Sequence, residues 1–177
     1  EEHEVRVHQL FVNQDGWLVA APYEFSGETY TDNDIATKQL YDATEVEGDY
    51  QIIAHPYRQN TAAMAYEKPI TIHLNADGSI SGEYTGKWEL VSGTSYINLT
   101  LKGVATANAE VMFKGVLTEQ TIDYTNIKAL CFTALSSSDG LATSGGASLQ
   151  TSGLSIWGSK ADAKAAIKYT LDKTSVP

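Results

Sequence analysis

"SYINLTL", Ser95–Leu101, alternates without a break. Ile97, Leu99 and Leu101 fall on one side of an extended chain; Tyr96, Asn98 and Thr100 fall on the other. Successive side chains of a strand point to opposite faces, so this spacing predicts a strand with one buried and one wet face. Outward from it, similar short runs of β-branched and aromatic residues recur along the chain. They are "VRVHQLFV" (5–12), "DYQIIAH" (49–55), "PITIHL" (69–74), "SISGEYTG" (79–86), "KWELV" (87–91), "EVMFKGVL" (110–117), "KALCFTALS" (128–136) and "GLSIWGS" (153–159).

Between or at the ends of these runs lie "QDGW", "EGDY", "ADGS", "SGEY", "TGKW", "SGTS", "SSDG" and "SGGAS". Glycine and Asp-Gly supply the positive φ angles that tight hairpin turns demand. The intervals are too short to hold the crossover helices of a parallel sheet. The fold class that follows is all-β: a single antiparallel β-barrel, with lipocalin-like or sandwich-like closure.

Three stretches depart from the pattern. Thr31–Glu47, "TDNDIATKQLYDATEVE", is a polar, acidic connection with room for one helical turn. Ser136–Ser152 is small and polar, which predicts a long flexible loop. "KADAKAAIKY", Lys160–Tyr169, is rich in Ala and Lys and predicts a short C-terminal helix. No repeat or linker divides the chain, so the expectation is one domain over residues 1–177, with a core at 5–160 and a tail at 161–177.

The 177 residues suffice for a real core without cross-links. No apolar run approaches the roughly 20 residues of a membrane helix, so membrane insertion is not expected. The opening "EEHEVRVHQL" lacks the pattern of a secretory signal and begins without Met, which reads as a fragment of a longer protein. Twelve Lys and Arg stand against 22 Asp and Glu, a net charge of −10. Nucleic acid and anionic bilayers are repelled by such a field, because their recognition needs clustered bases. A neutral partner such as a sugar chain is compatible with it.

No cofactor, metal or catalytic position is expected. The sequence holds no G-x-S-x-G, H-E-x-x-H, phosphate-loop or paired-cysteine pattern. "TDND" (31–34) and "NADG" (75–78) lack the spaced acids of a calcium loop and read as Asx turns. His3, His8, His55 and His73 are isolated, and those in strands read as structural hydrogen-bonders. The Asn98-Leu99-Thr100 sequon falls inside a strand. The lone Cys131, within "ALCFTAL", reads as a small buried hydrophobe.

The tryptophans are more informative. Burying one removes about 150–250 Å² from water, worth at most about 4–6 kcal/mol at ~25 cal/mol per Å². An exposed one forgoes that gain and usually has a ligand or partner to cover it. Trp17, Trp88 and Trp157 all lie within two residues of a glycine and so sit near strand ends. With Tyr23, Phe25 and Tyr57 they form the candidate set for carbohydrate contact or a domain interface. Within "DGWLVAAPYEFSGE" (15–28), Asp15-Gly16 reads as a hairpin turn and Trp17–Ala21 as a barrel strand ended by Pro22.

The opening string "RVHQLFVNQDGWLVAAPYEFSGE" (6–28) resembles the C-terminal β-barrel domain that follows the propeller in extracellular endo-1,5-α-L-arabinanases of glycoside hydrolase family 43. Further matches come in order: "VEGDYQIIAH" (46–55), "ITIHLNADGSISGEYTGKWEL" (70–90), "FKGVL" (113–117), "CFTALS" (131–136) and "LSIWGS" (154–159). Glu24 stands where a basic residue is expected and Leu18 where proline is common, and the 136–152 loop and the tail are longer than the resemblance implies. In that family the catalytic carboxylates belong to the propeller, so the resemblance implies a non-catalytic accessory domain. Its partners would be the catalytic domain of the same polypeptide and the polysaccharide, arabinan. Its location would be extracellular, at the cell surface or periplasmic. Two rival readings are a carbohydrate-binding module and a lipocalin-like carrier with an interior cavity.

Overall fold

The computed structural model describes residues 5–27, 40–55, 68–104, 108–137 and 154–160. The C-terminal helix expected over 160–169 beyond Lys160, Tyr57, and the 136–152 loop beyond Ser137 lie outside them, and Lys160 itself is in a strand. The elements are β1 (Leu10–Val12), β2 (Leu18–Ala20), the short helix α1 (Ala43–Val46), β3 (Gly48–His55), β4 (Ile70–Leu74), β5 (Ser79–Gly82), β6 (Thr85–Leu90), β7 (Tyr96–Lys102), β8 (Glu110–Thr121), β9 (Lys128–Ser136) and β10 (Ser155–Lys160). Strands β3 to β10 form a closed barrel in which each pairs antiparallel with its sequence neighbour, and β10 returns to β3. Closure removes the unpaired edges that an open sheet would expose.

The alternation of "SYINLTL" is realised: Ile97, Leu99 and Leu101 are fully buried inside, while Tyr96, Asn98 and Thr100 face outward. The same parity brings Tyr50, Ile52, Ile72, Leu74, Val111, Phe113, Leu117, Phe132 and Ile156 into one interior cluster. Tyr50 and Phe132 lean on each other with ring centroids 5.4 Å apart. The Tyr50 hydroxyl donates to the Val46 carbonyl at 2.9 Å, so its burial leaves no orphaned donor. Protein surrounds these residues on every side, where a carrier's ligand would have to sit.

The helical turn expected in the acidic connection is α1. Asp42 caps it by accepting from the amides of Thr44 and Glu45, and the Glu45 carboxylate accepts from the Asp42 amide. This reciprocal box satisfies the first-turn amides, and Val46 is thereby delivered to the core.

The expectation of a barrel strand at Trp17–Ala21 is corrected. Among the described residues β1 and β2 pair only with each other, Val12 opposite Leu18 and Leu10 opposite Ala20. The barrel has no edge left to receive them. Their hairpin lies on its outer wall instead, where Phe11, Val19 and Ala21 bury Val116 of β8 with help from Tyr96 and Leu135. Two further boundaries differ from expectation. "SISGEYTG" is not one strand but is broken after Gly82, and "TGKW" is no turn, because β6 begins at Thr85.

Candidate functional site

The N-terminal segment makes a second layer over β8, β9 and β10, and five of the six candidate aromatics are described. Their positions follow from how that layer is pinned. Asn13 organises the first turn: its side-chain oxygen accepts from the amides of Asp15 and Trp17 at 3.0 and 2.9 Å, and its amide group donates to the Lys114 carbonyl. Asp15 then reaches the barrel, accepting from Lys114 Nζ at 2.7 Å and from the Ser137 hydroxyl at 2.9 Å. Gly16, at φ +80°, turns the chain, and Trp17 emerges at the tip 64% exposed.

Tyr23 lies further along, against the wall. Its amide donates to Gln120 Oε1 at 3.1 Å and its hydroxyl to Ser159 Oγ at 2.9 Å. The Glu24 amide donates to Asp123 Oδ1, and Arg6 bridges the Glu24 and Asp123 carboxylates at 3.3 and 3.8 Å. Phe25, whose amide donates to the Val7 carbonyl, is 46% exposed. Trp157, on the outer face of β10, is half-buried between His8 and His55, with ring centroids 6.0 and 4.5 Å away. His8 is fixed in turn by donating from Nδ1 to the Ala21 carbonyl.

Trp88 is separate from this group. It faces the barrel interior, 6% exposed, and its Nε1–H donates to the Asn75 carbonyl at 2.8 Å. A ring so enclosed has no face to offer a sugar or a neighbouring domain. It braces the 75–78 turn, where Asp77 accepts from the Ser79 amide and hydroxyl.

The chemistry of this wall is quiet. Burial pushes the Cys131 thiol up to about 12, outweighing the Ser159 hydrogen bond, so the sulfur stays protonated. His73 donates from Nδ1 to Asp49 at 2.6 Å on an exposed part of the opposite wall. Among the described residues, no three His, Cys, Asp or Glu converge as a metal ion would require.

Asp15 carries a testable pH dependence. The hydrogen bond from Lys114, with help from Ser137 and against some desolvation, holds its carboxyl below the ordinary value of 3.8. A depressed folded value means the contribution is complete above the unfolded value and is lost as pH falls through the folded one. Asp15→Ala should therefore cost about 1 kcal/mol near neutrality, between an exposed ion pair and a buried charged hydrogen bond. That penalty should be smaller at an acidic pH than at neutrality, because it is lost as pH falls through the depressed folded value. Urea unfolding of both proteins at the two pH values measures it, and comparing the variant with its parent cancels the other acids.

Several of these residues escaped the sequence reading. Asn13, Lys114, Gln120, Asp123 and Ser137 work as anchors, but their partners lie roughly 100 positions away in the chain.

The same architecture exists in known proteins. Residues 22–145 match GH43_C, a family described as a C-terminal lipocalin-like domain. The chain belongs to that family. It is 35% identical over 160 residues to the extracellular endo-α-(1→5)-L-arabinanase 2 of Bacillus subtilis, and 37% identical over 159 to the corresponding enzyme of Thermotoga petrophila. Those stretches are 90% and 89% of this chain but 27% of each relative's length. The crystal structure of the T. petrophila endo-1,5-α-L-arabinanase superposes with a TM-score of 0.65 at 34% identity, over 89% of this chain and 28% of that one. The family 43 glycoside hydrolase YxiA of Bacillus licheniformis superposes at 0.66 and 29% identity, over 90% and 29%. In this GH43_C domain Glu24 stands where the resemblance leads to a basic residue, and Arg6 lies 3.3 Å from its carboxylate.

Proposed function

We propose that this GH43_C domain, as one unit over residues 5–160, supports and orients the catalytic domain of an extracellular arabinanase-like glycosidase. The observation that carries the reading is coverage: nine-tenths of this chain corresponds to about a quarter of the arabinanases it resembles. The described barrel agrees with a supporting role, since its interior is filled by apolar side chains and its outer wall is tied down by hydrogen bonds. The polypeptide's location is that of the named relatives, outside the cell.

A second reading, weak carbohydrate contact, is favoured by Trp17. Its ring is held 64% exposed on a turn fixed by Asn13, an arrangement suited to stacking on a sugar. Phe25 and the half-buried Trp157 are the other candidate surfaces for such contact.

Two assays address these readings. The purified chain should release no reducing ends from linear arabinan, and turnover that persists at purity overturns the accessory reading. In affinity electrophoresis through arabinan, retardation that Trp17→Ala abolishes establishes the second reading. Unretarded migration of the parent chain removes it.

A further inference from the structure

Leu10, Val12 and Leu18 point away from the barrel, 58%, 48% and 64% exposed, while their neighbours Phe11 and Val19 are buried beneath the hairpin. The register sets Val12 directly beside Leu18 and Leu10 beside Ala20, so these side chains form one surface. Scattered exposed apolar residues are ordinary, but a contiguous apolar face marks a contact. The carboxylates of the segment are turned elsewhere, Asp15 to Lys114 and Glu24 to Arg6. An apolar centre depleted of charge is the composition of a protein interface. It offers a polysaccharide few hydroxyl partners.

We propose that the outer face of the β1–β2 hairpin is the surface on which the preceding catalytic domain seats. The proposal rests on the reading above that such a domain exists in the parent polypeptide. The occupant is argued from position. This family is a C-terminal domain, nearly three-quarters of each relative's length lies outside the match, and the hairpin is the first described element after the point of entry. Between the start of the described residues and β1 lie only Val5–Gln9.

Thiol accessibility tests it, because Cys131 is buried and contributes no background. Val12→Cys, Leu18→Cys and, on the far wall, Ser81→Cys are made in this chain and in the full-length polypeptide, then labelled with a water-soluble maleimide. The expected result is labelling at 12 and 18 that is at least tenfold slower in the full-length protein, with labelling at 81 unchanged. Equal rates at 12 and 18 in the two forms overturn the proposal. So does slow labelling already present in this chain alone and growing with its concentration, which assigns the face to a second copy. Protection of this chain by added arabinan also overturns it, assigning the face to polysaccharide. Arabinan hydrolysis by the same full-length samples separates the two readings: active protein with equal labelling sinks the docking face alone, and inactive protein with protected thiols sinks the arabinanase reading alone.

Discussion

Gly86→Ala is expected to destabilise the barrel by about 4 kcal/mol, more than a methyl added at any other glycine of its wall. Gly86 pairs with Ile80 on one side and Leu101 on the other, so neighbouring strands hold it from both directions. Its φ of +154° aims a Cβ at the Thr100 carbonyl, with the oxygen only 1.8 Å away. A flexible side chain could swing clear of such a contact, but a ladder carbonyl cannot. The backbone conformation costs roughly 1–3 kcal/mol for an L-residue, and forced overpacking typically costs about 1–3 more. Set against a typical total of roughly 5–15 kcal/mol, this removes a large share of the domain's stability. Chemical unfolding monitored by the intrinsic tryptophans measures it. Gly93→Ala is the control: it shares a positive φ of 74°, but a Cβ there meets nothing within 4 Å. A Gly86→Ala variant that unfolds no more easily than Gly93→Ala would contradict the close strand approach.

That glycine also shows what the sequence could and could not disclose. Alternation in "SYINLTL" decided the inside and outside of β7, because side-chain parity is a local property of an extended chain. "KALCFTALS" was legible as β9 to the residue as an apolar run between turn signals, although its burial does not alternate. Gly86, in "TGKW", looked like a corner, since glycine answers equally to a turn and to a crowded crossing. Only the neighbouring strands decide between them. The hairpin posed the same difficulty. Trp17–Ala21 has strand chemistry, and whether such a strand joins a barrel or rides on one depends on whether β10 and β3 have already closed it. Trp88 and Trp17 both follow closely on a glycine in the sequence. One is enclosed with its N–H bonded to Asn75 and the other stands at a tip, a difference made by parity and position along the wall.

Gly158 and Phe132 should behave as one unit, and the expected result is a coupling of at least about 1 kcal/mol between them. Gly158 faces inward on β10 directly opposite Phe132 of β9. A Cβ at 158 would lie 2.2 Å from two carbons of the Phe132 ring, which is fully buried and leans on Tyr50. Gly158→Ala alone should cost about 2–3 kcal/mol, because the ring has nowhere to retreat in a close-packed interior. Phe132→Leu alone should cost about 1–2 kcal/mol, from lost contact and a partly collapsed cavity. In the double variant the added methyl occupies space that the ring has vacated, so each change relieves the other. Urea midpoints of the four proteins close the cycle. Independent sites add within about 0.3–0.5 kcal/mol, so additivity here would mean that the ring does not rest on Gly158. Gly158 would then owe its lack of a side chain to some other neighbour.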